Sequence, residues 1–144
     1  EVVSRYGDAV RYARFNHCGV YAVRNAILAE LKGTWFLNLD ADNWIEPDFL
    51  AKALEVVEAH ADDDAFAFVY PDMQRFGEAE DGVERPDFSV EKLKTRNYLD
   101  MNSLSRTDVA RRFGFDPAFN SGQGDYDFFL TLVENGFIGA PLRS

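Results

Sequence analysis

A chain of 144 residues, 47% apolar and carrying 13 Phe, six Tyr and two Trp, holds enough large side chains for one ordinary core. That content excludes a disordered tail, and the length excludes two full domains. Fifteen basic against 25 acidic residues leave a net charge of -10, which argues against a nonspecific grip on nucleic acid or an anionic membrane and obliges any anionic ligand to be neutralised locally.

In chain order, Glu1-Val2-Val3-Ser4 shows no basic region followed by an apolar run, so no signal peptide is visible, although one lying upstream is compatible with this start. Cys18 is the single cysteine; it permits neither an intrachain disulfide nor a CxxC pair, and a reducing, cytoplasmic setting is expected. His17 and His60 have no partner at metal-ligand spacing; packing is expected for the first and a helix-end charge for the second.

From Gly19 to Lys32 the apolar residues Val20, Val23, Ile27 and Leu31 recur at helical spacing and Gly33 supplies a stop. Thr34 to Leu39 is short, β-prone and nearly continuous in apolar character, as a strand buried on both faces requires, and it ends in Asp40-Ala41-Asp42-Asn43. Pro47 opens a second helix with Phe49, Leu50, Ala53, Leu54 and Val57 on one stripe. Asp62-Asp63-Asp64 reads as a solvated turn, and Ala65 to Tyr70 as another buried strand.

Residues 71–95 break the rhythm in a way that suits a hairpin or a mobile loop. A further strand is expected within Asn97 to Arg106, a short helix from Asp108 to Phe113, and a last helix marked by Phe128, Phe129, Leu132 and Val133 with Gly136 at its end. The longest apolar stretches, such as 35–37 and 66–70, fall short of the ~20 residues of a membrane-spanning helix. No repeat or linker divides the chain. The alternation predicts a single α/β layered domain over 1–144 with a mostly parallel sheet flanked by helices.

The feature richest in chemistry is Asp40-Ala41-Asp42 directly after a hydrophobic strand, because open α/β sheets bind ligands beyond the carboxyl ends of their strands. If the extended geometry persists, residues 40 and 42 face the same side and invite a hard cation, Mg²⁺ or Mn²⁺, completed by water and the oxygens of a diphosphate. The same residues read equally well as turn chemistry leading into the Pro47 helix. A calcium EF-hand fails: counting from Asp40, the fifth, sixth and twelfth positions are Trp44, Ile45 and Ala51. Trp44, Tyr98 and Phe129 are rings that either stack on a sugar or belong to the core.

Two blocks carry a family resemblance. Val23-Arg24-Asn25-Ala26-Ile27, then Gly33 through Asn43, then Pro47-Asp48-Phe49-Leu50 resemble the pattern aRNxai...GeyixfLDaDDxxxPxxl of the family-2 glycosyltransferases of GT-A fold. Asn97-Tyr98, Ser103-Leu104-Ser105-Arg106, Gly114-Phe115-Asp116 and Gly124-Asp125-Tyr126-Asp127-Phe128-Phe129-Leu130 are similar to the second half of that domain.

The resemblance implies a partial GT-A, Rossmann-like sheet and transfer of a sugar from a nucleotide-diphosphate donor to an acceptor hydroxyl, usually with inversion. Carried over by position, Asp42 matches the direct metal ligand, Asp40 the acid that touches the donor ribose or reaches the metal through water, and Asp125 the general base on the acceptor. Read without the family, Asp125 follows two glycines at a helix start and serves equally as an N-cap. Arg24 and Asn25 are either donor phosphate or nucleobase contacts or an ordinary guanidinium and amide of a helix.

The chain departs from the family pattern at Gly124, where a Glu is usual, and at Thr131, where an Arg is usual. The family's opening strands and helix, which bind the nucleobase, are expected to precede residue 1, and relatives continue past Ser144; a fragment of a longer domain is the expectation. Two rivals stand beside the transferase: a non-catalytic module that assembles as an oligomer through an exposed sheet edge, and a nucleotidyltransferase, for which no Gly-rich phosphate loop is present.

Overall fold

The computed structural model describes residues 3–77, 82–83 and 85–143. Its centre is a four-stranded sheet made by β1 (Trp35–Leu37), β2 (Phe66–Pro71), β5 (Leu104–Arg106) and β6 (Ile138–Leu142), in the order β1-β5-β2-β6. Strand β5 runs antiparallel to both neighbours, and β2 and β6 are parallel. The α/β class is as expected. The mostly parallel sheet holds for strand direction, with β1, β2 and β6 aligned, while two of the three pairings are antiparallel because β5 is inserted between β1 and β2.

Helices α1 (Val20–Glu30), α3 (Val90–Thr95), α4 (Thr107–Phe113) and α5 (Gly124–Glu134) supply one core cluster, where Tyr21, Leu28, Leu93, Val109, Phe128 and Phe129 meet Phe68 and Tyr70. Helix α2 (Phe49–Ala59) covers the other face, with Phe49 and Ala53 against Phe66, Val69 and Leu104. Strand β2 therefore feeds both clusters. A register shift between Phe66 and Phe68 sends Ala67 and Phe68 to the same side, after which alternation resumes with Val69 and Tyr70.

Several expectations need correction. The buried stripe of α1 is Tyr21 and Leu28, and Val20 and Ile27 are exposed; on α2, Leu50 and Leu54 are exposed and the contact is made by Phe49, Ala53 and the half-buried Val56 and Val57. The first strand stops at Leu37 rather than Leu39, and the strand within 97–106 is confined to Leu104–Arg106. Residues 71–95 do contain a hairpin, β3 (Met73–Gln74) against β4 (Gly82–Val83), though residues 78–81 and 84 lie outside the described residues.

Helix α3 was not expected. Ser89 caps it, its Oγ accepting from Lys92 N–H at 3.2 Å. Tyr98 and Phe129 belong to the core, and His17 is exposed rather than packed. His60 ends α2, its Nδ1 2.8 Å from the Val56 carbonyl oxygen and its ring stacked on Phe66. Asp63 Oδ1 closes the acidic turn by accepting from Ala65 N–H. Among the described residues, no helix is long and apolar enough to cross a membrane.

Candidate active site

Beyond the end of β1 the chain turns at once: Asn43 N–H donates to the Asp40 carbonyl at 3.0 Å, closing a turn over Asp40–Asn43. Strand alternation therefore does not set the directions of residues 40 and 42, and their two carboxylates are inequivalent. Asp40 Oδ1 accepts from Arg24 Nη2 at 2.6 Å, in an ion pair whose arginine is only 14% exposed. Asp42 is exposed, and its carboxylate has no hydrogen bond or ion pair among the described residues.

Arg24 projects from α1 over the rings of Tyr21 and Phe115, with its guanidinium carbon 5.5 and 6.0 Å from their centroids. Those flat apolar faces fix the fork and cover its stem, leaving the donor edge toward Asp40. Asn25, its neighbour on α1, is spent differently. Its Nδ2 donates to Phe115 O at 2.7 Å while its Oδ1 accepts from Phe115 N–H at 2.8 Å. Both ends of the amide clamp the backbone after α4, so its observed role is to hold Phe115 beneath Arg24.

Asp125 is the second residue of α5. Gln123, with φ of 69°, occupies the cap position, so Asp125 is not the N-cap. Its Oδ1 takes Tyr126 N–H at 2.8 Å and its Oδ2 takes Asn97 Nδ2 at 3.1 Å. The Asn97 amide is itself oriented, because Asn97 Oδ1 accepts from Leu99 N–H at 3.1 Å. Two residues further along, Asp127 has its pKa raised by partial burial and by the negative charges of Asp116 and Glu134.

Two physical links connect the acidic turn with Asp125. The first is Tyr21, a buried ring that lies under Arg24 and also against Gly124 so closely that a Cβ on Gly124 would overlap it. The departure from the family pattern at position 124 thus has a steric partner: Tyr21 fills the space in which a larger side chain would begin. The second is the segment 97–102. Asn97 holds Asp125 at one end, and at the other the buried Asn102 Oδ1 accepts from Asp40 N–H at 3.3 Å, its amide anchored in turn by donating to Asp100 Oδ1 at 2.6 Å. Five residue steps of chain span at most about 18 Å. Tyr21, Asn97 and Asn102 were not singled out from sequence as site residues; only Asn97 lay in a family-like block, and nothing local marked the other two.

Beside the turn opens a cleft of about 820 Å³, reaching from Asn43 and Asn102 to Asp72 and the β3–β4 hairpin. On its rim Trp44 and Phe76 stack at 4.5 Å between centroids and 15° between planes.

The comparisons agree with this architecture. The family model "Glycosyl transferase family 2" matches residues 1–115, a stretch that includes Arg24, Asn25, Asp40 and Asp42 and ends before Asp125. An uncharacterised protein, y4gI, of Sinorhizobium fredii (strain NBRC 101917 / NGR234) is 27% identical over 114 residues, 76% of this chain and 12% of that protein. The crystal structure of S. aureus TarS 1-349 superposes with a TM-score of 0.72 at 17% identity, covering 98% of this chain and 44% of that one. The chain thus spans less than half the length of either, and TarS testifies to the fold. With its helix–strand–acidic-turn half inside the matched stretch and its whole length laid on a GT-A-like fold, the chain belongs to glycosyl transferase family 2.

Proposed function

We propose that this chain carries the transfer site of a glycosyltransferase that moves a sugar from a nucleotide-diphosphate donor to an acceptor hydroxyl, with inversion. What supports the reading is that the Arg24-paired Asp40 and the oriented Asp125 share neighbours, through Tyr21 and through segment 97–102. Asp125 is the general base: one of its oxygens takes the acceptor proton as the acceptor oxygen attacks the anomeric carbon and the bond to the nucleotide diphosphate breaks. Both carboxylate oxygens are already hydrogen-bonded, so the carboxylate is held in a fixed orientation before substrate arrives.

The residues fit a hard divalent cation in one manner. Among the described residues no group of three or more His, Cys, Asp or Glu is placed to hold a metal, while Asp42 offers an exposed carboxylate without a protein partner. Mg²⁺ or Mn²⁺ would be held by Asp42 and by diphosphate and water oxygens, with Asp40 in support, and would supply charge neutralisation to the departing nucleotide. Arg24 fixes Asp40, and Asn25 positions Phe115 under Arg24.

The test is Mn²⁺ titration by calorimetry with a panel of nucleotide sugars, together with turnover. Asp42→Ala is expected to abolish the metal-linked donor heat. Asp125→Asn is expected to keep that heat and to lose about 10²–10⁴-fold in turnover. Turnover retained in either variant refutes the assignment.

A further inference from the structure

We propose that the cleft beside the acidic turn is a saccharide subsite for an uncharged pyranose chain, with Trp44 as its platform; the assignment rests on the transferase reading, since such a chain would be the acceptor. Trp44 is 64% exposed at the rim, although a large apolar ring gains by burial. Phe76, 50% exposed, stacks on one face of the indole, and among the described residues no second ring stacks on Trp44. A rigid exposed ring suits the C–H face of a pyranose, which is apolar while its hydroxyls point outward around the rim.

The rest of the lining meets those hydroxyls. Asn43, Glu46 and Gln74 provide amide and carboxylate groups around the cavity, and about 820 Å³ holds several sugar units. Charge disfavours acidic glycans. Glu46 and Asp72 are anionic, and the lining's cation, Arg143, already pairs with Asp72 at 3.2 Å and Asp87 at 2.8 Å. Position agrees: Asn43 and Asn102 belong both to the cleft and to the hydrogen bonds that shape the Asp40 turn, so a chain lying in the cleft ends next to the transfer site.

Trp35, the other tryptophan, is half-buried in the α2-side core, so changes in indole emission on adding sugar report on Trp44. Cellotetraose, maltotetraose and chitotetraose are titrated against the protein, with a tetrasaccharide of hyaluronate as the anionic probe. At least one neutral tetrasaccharide is expected to change the emission and to bind more tightly than the hyaluronate fragment at low salt. Binding followed by calorimetry should weaken at least tenfold in Trp44→Ala, less in Phe76→Leu, and remain unchanged in Leu54→Ala, an exposed position on α2 outside the cleft lining. Binding to no neutral probe, equal binding by Trp44→Ala, or preference for the anionic probe overturns the proposal. Hydrolysis of nucleotide sugars by the unmodified protein is followed in parallel: its absence alongside Trp44-dependent saccharide binding sinks the transferase reading and leaves the ligand class of the cleft standing.

Discussion

At the scale of single residues, the site depends on a few side chains that each hold something else in place. Gly124 is required by Tyr21, because any Cβ there would overlap the buried ring. Gly124→Ala should destabilise the fold by about 1–3 kcal/mol, the usual cost of overpacking. In a Tyr21→Ala background, urea unfolding should show most of that penalty gone, as expected of two residues competing for one volume. Asn25 was read from sequence as either a donor contact or a helix amide, and its bonds to both backbone groups of Phe115 favour a structural clamp. Asn25→Ala orphans a part-buried donor and acceptor, and a loss of about 2–3 kcal/mol in urea unfolding is expected. Asn25→Asp, which sets a carboxylate oxygen against the Phe115 carbonyl oxygen, should lose at least as much at neutral pH.

At the scale of elements, the strand into Asp40, the Pro47 helix and α5 were legible because each carries an uninterrupted apolar signal ending in Gly, Pro or acid. The facing of the helices was not. On α1 the aliphatic set Val20, Val23, Ile27 and Leu31 reads as the core stripe, yet Tyr21 and Leu28 face inward because Phe115, a distant residue in sequence, lies there to stack on Tyr21. Strand β6 was invisible because Ile138-Gly139-Ala140-Pro141-Leu142 contains two strand-weakening residues. The edge position tolerates Pro141, and Gly139 is demanded by the ring of Phe68, which a Cβ would overlap. The acidic pair was legible as a site but not as a geometry, since the strand ends at Leu37 and a turn intervenes.

Helix α5 also carries a pH signature. Partial burial and the nearby acids raise the Asp127 pKa above its unfolded value, so the folded state holds the proton more tightly. The stability this brings is complete below the ordinary carboxylate value of 3.8 and is lost as pH rises through the folded pKa. Asp127→Asn should therefore stabilise the protein at neutral pH, with the difference vanishing at acid pH. Asp108 has the opposite sign: its hydrogen bond from Arg106 lowers its pKa, so Asp108→Asn should destabilise at neutral pH and become silent at low pH. Thermal melts across pH 2.5–7 would check both.

At the scale of the whole molecule, a net charge of -10 surrounds a site proposed to take a dianion. Without a divalent cation, rising salt should strengthen nucleotide-sugar binding by screening repulsion between two negative bodies. With Mn²⁺ present the dependence should flatten or reverse. A steep loss of affinity with salt in metal-free buffer would instead indicate a basic donor pocket.

Segment 97–102 has a further consequence for the order of events. It grips the carboxylate at 125 with one end and the main-chain amide of residue 40 with the other. Such a tether sets the acidic turn and the base proposed at position 125 in one frame before either substrate arrives. Neither partner then has to prepare the place of the other, and kinetics of random rather than compulsory order are the signature to look for.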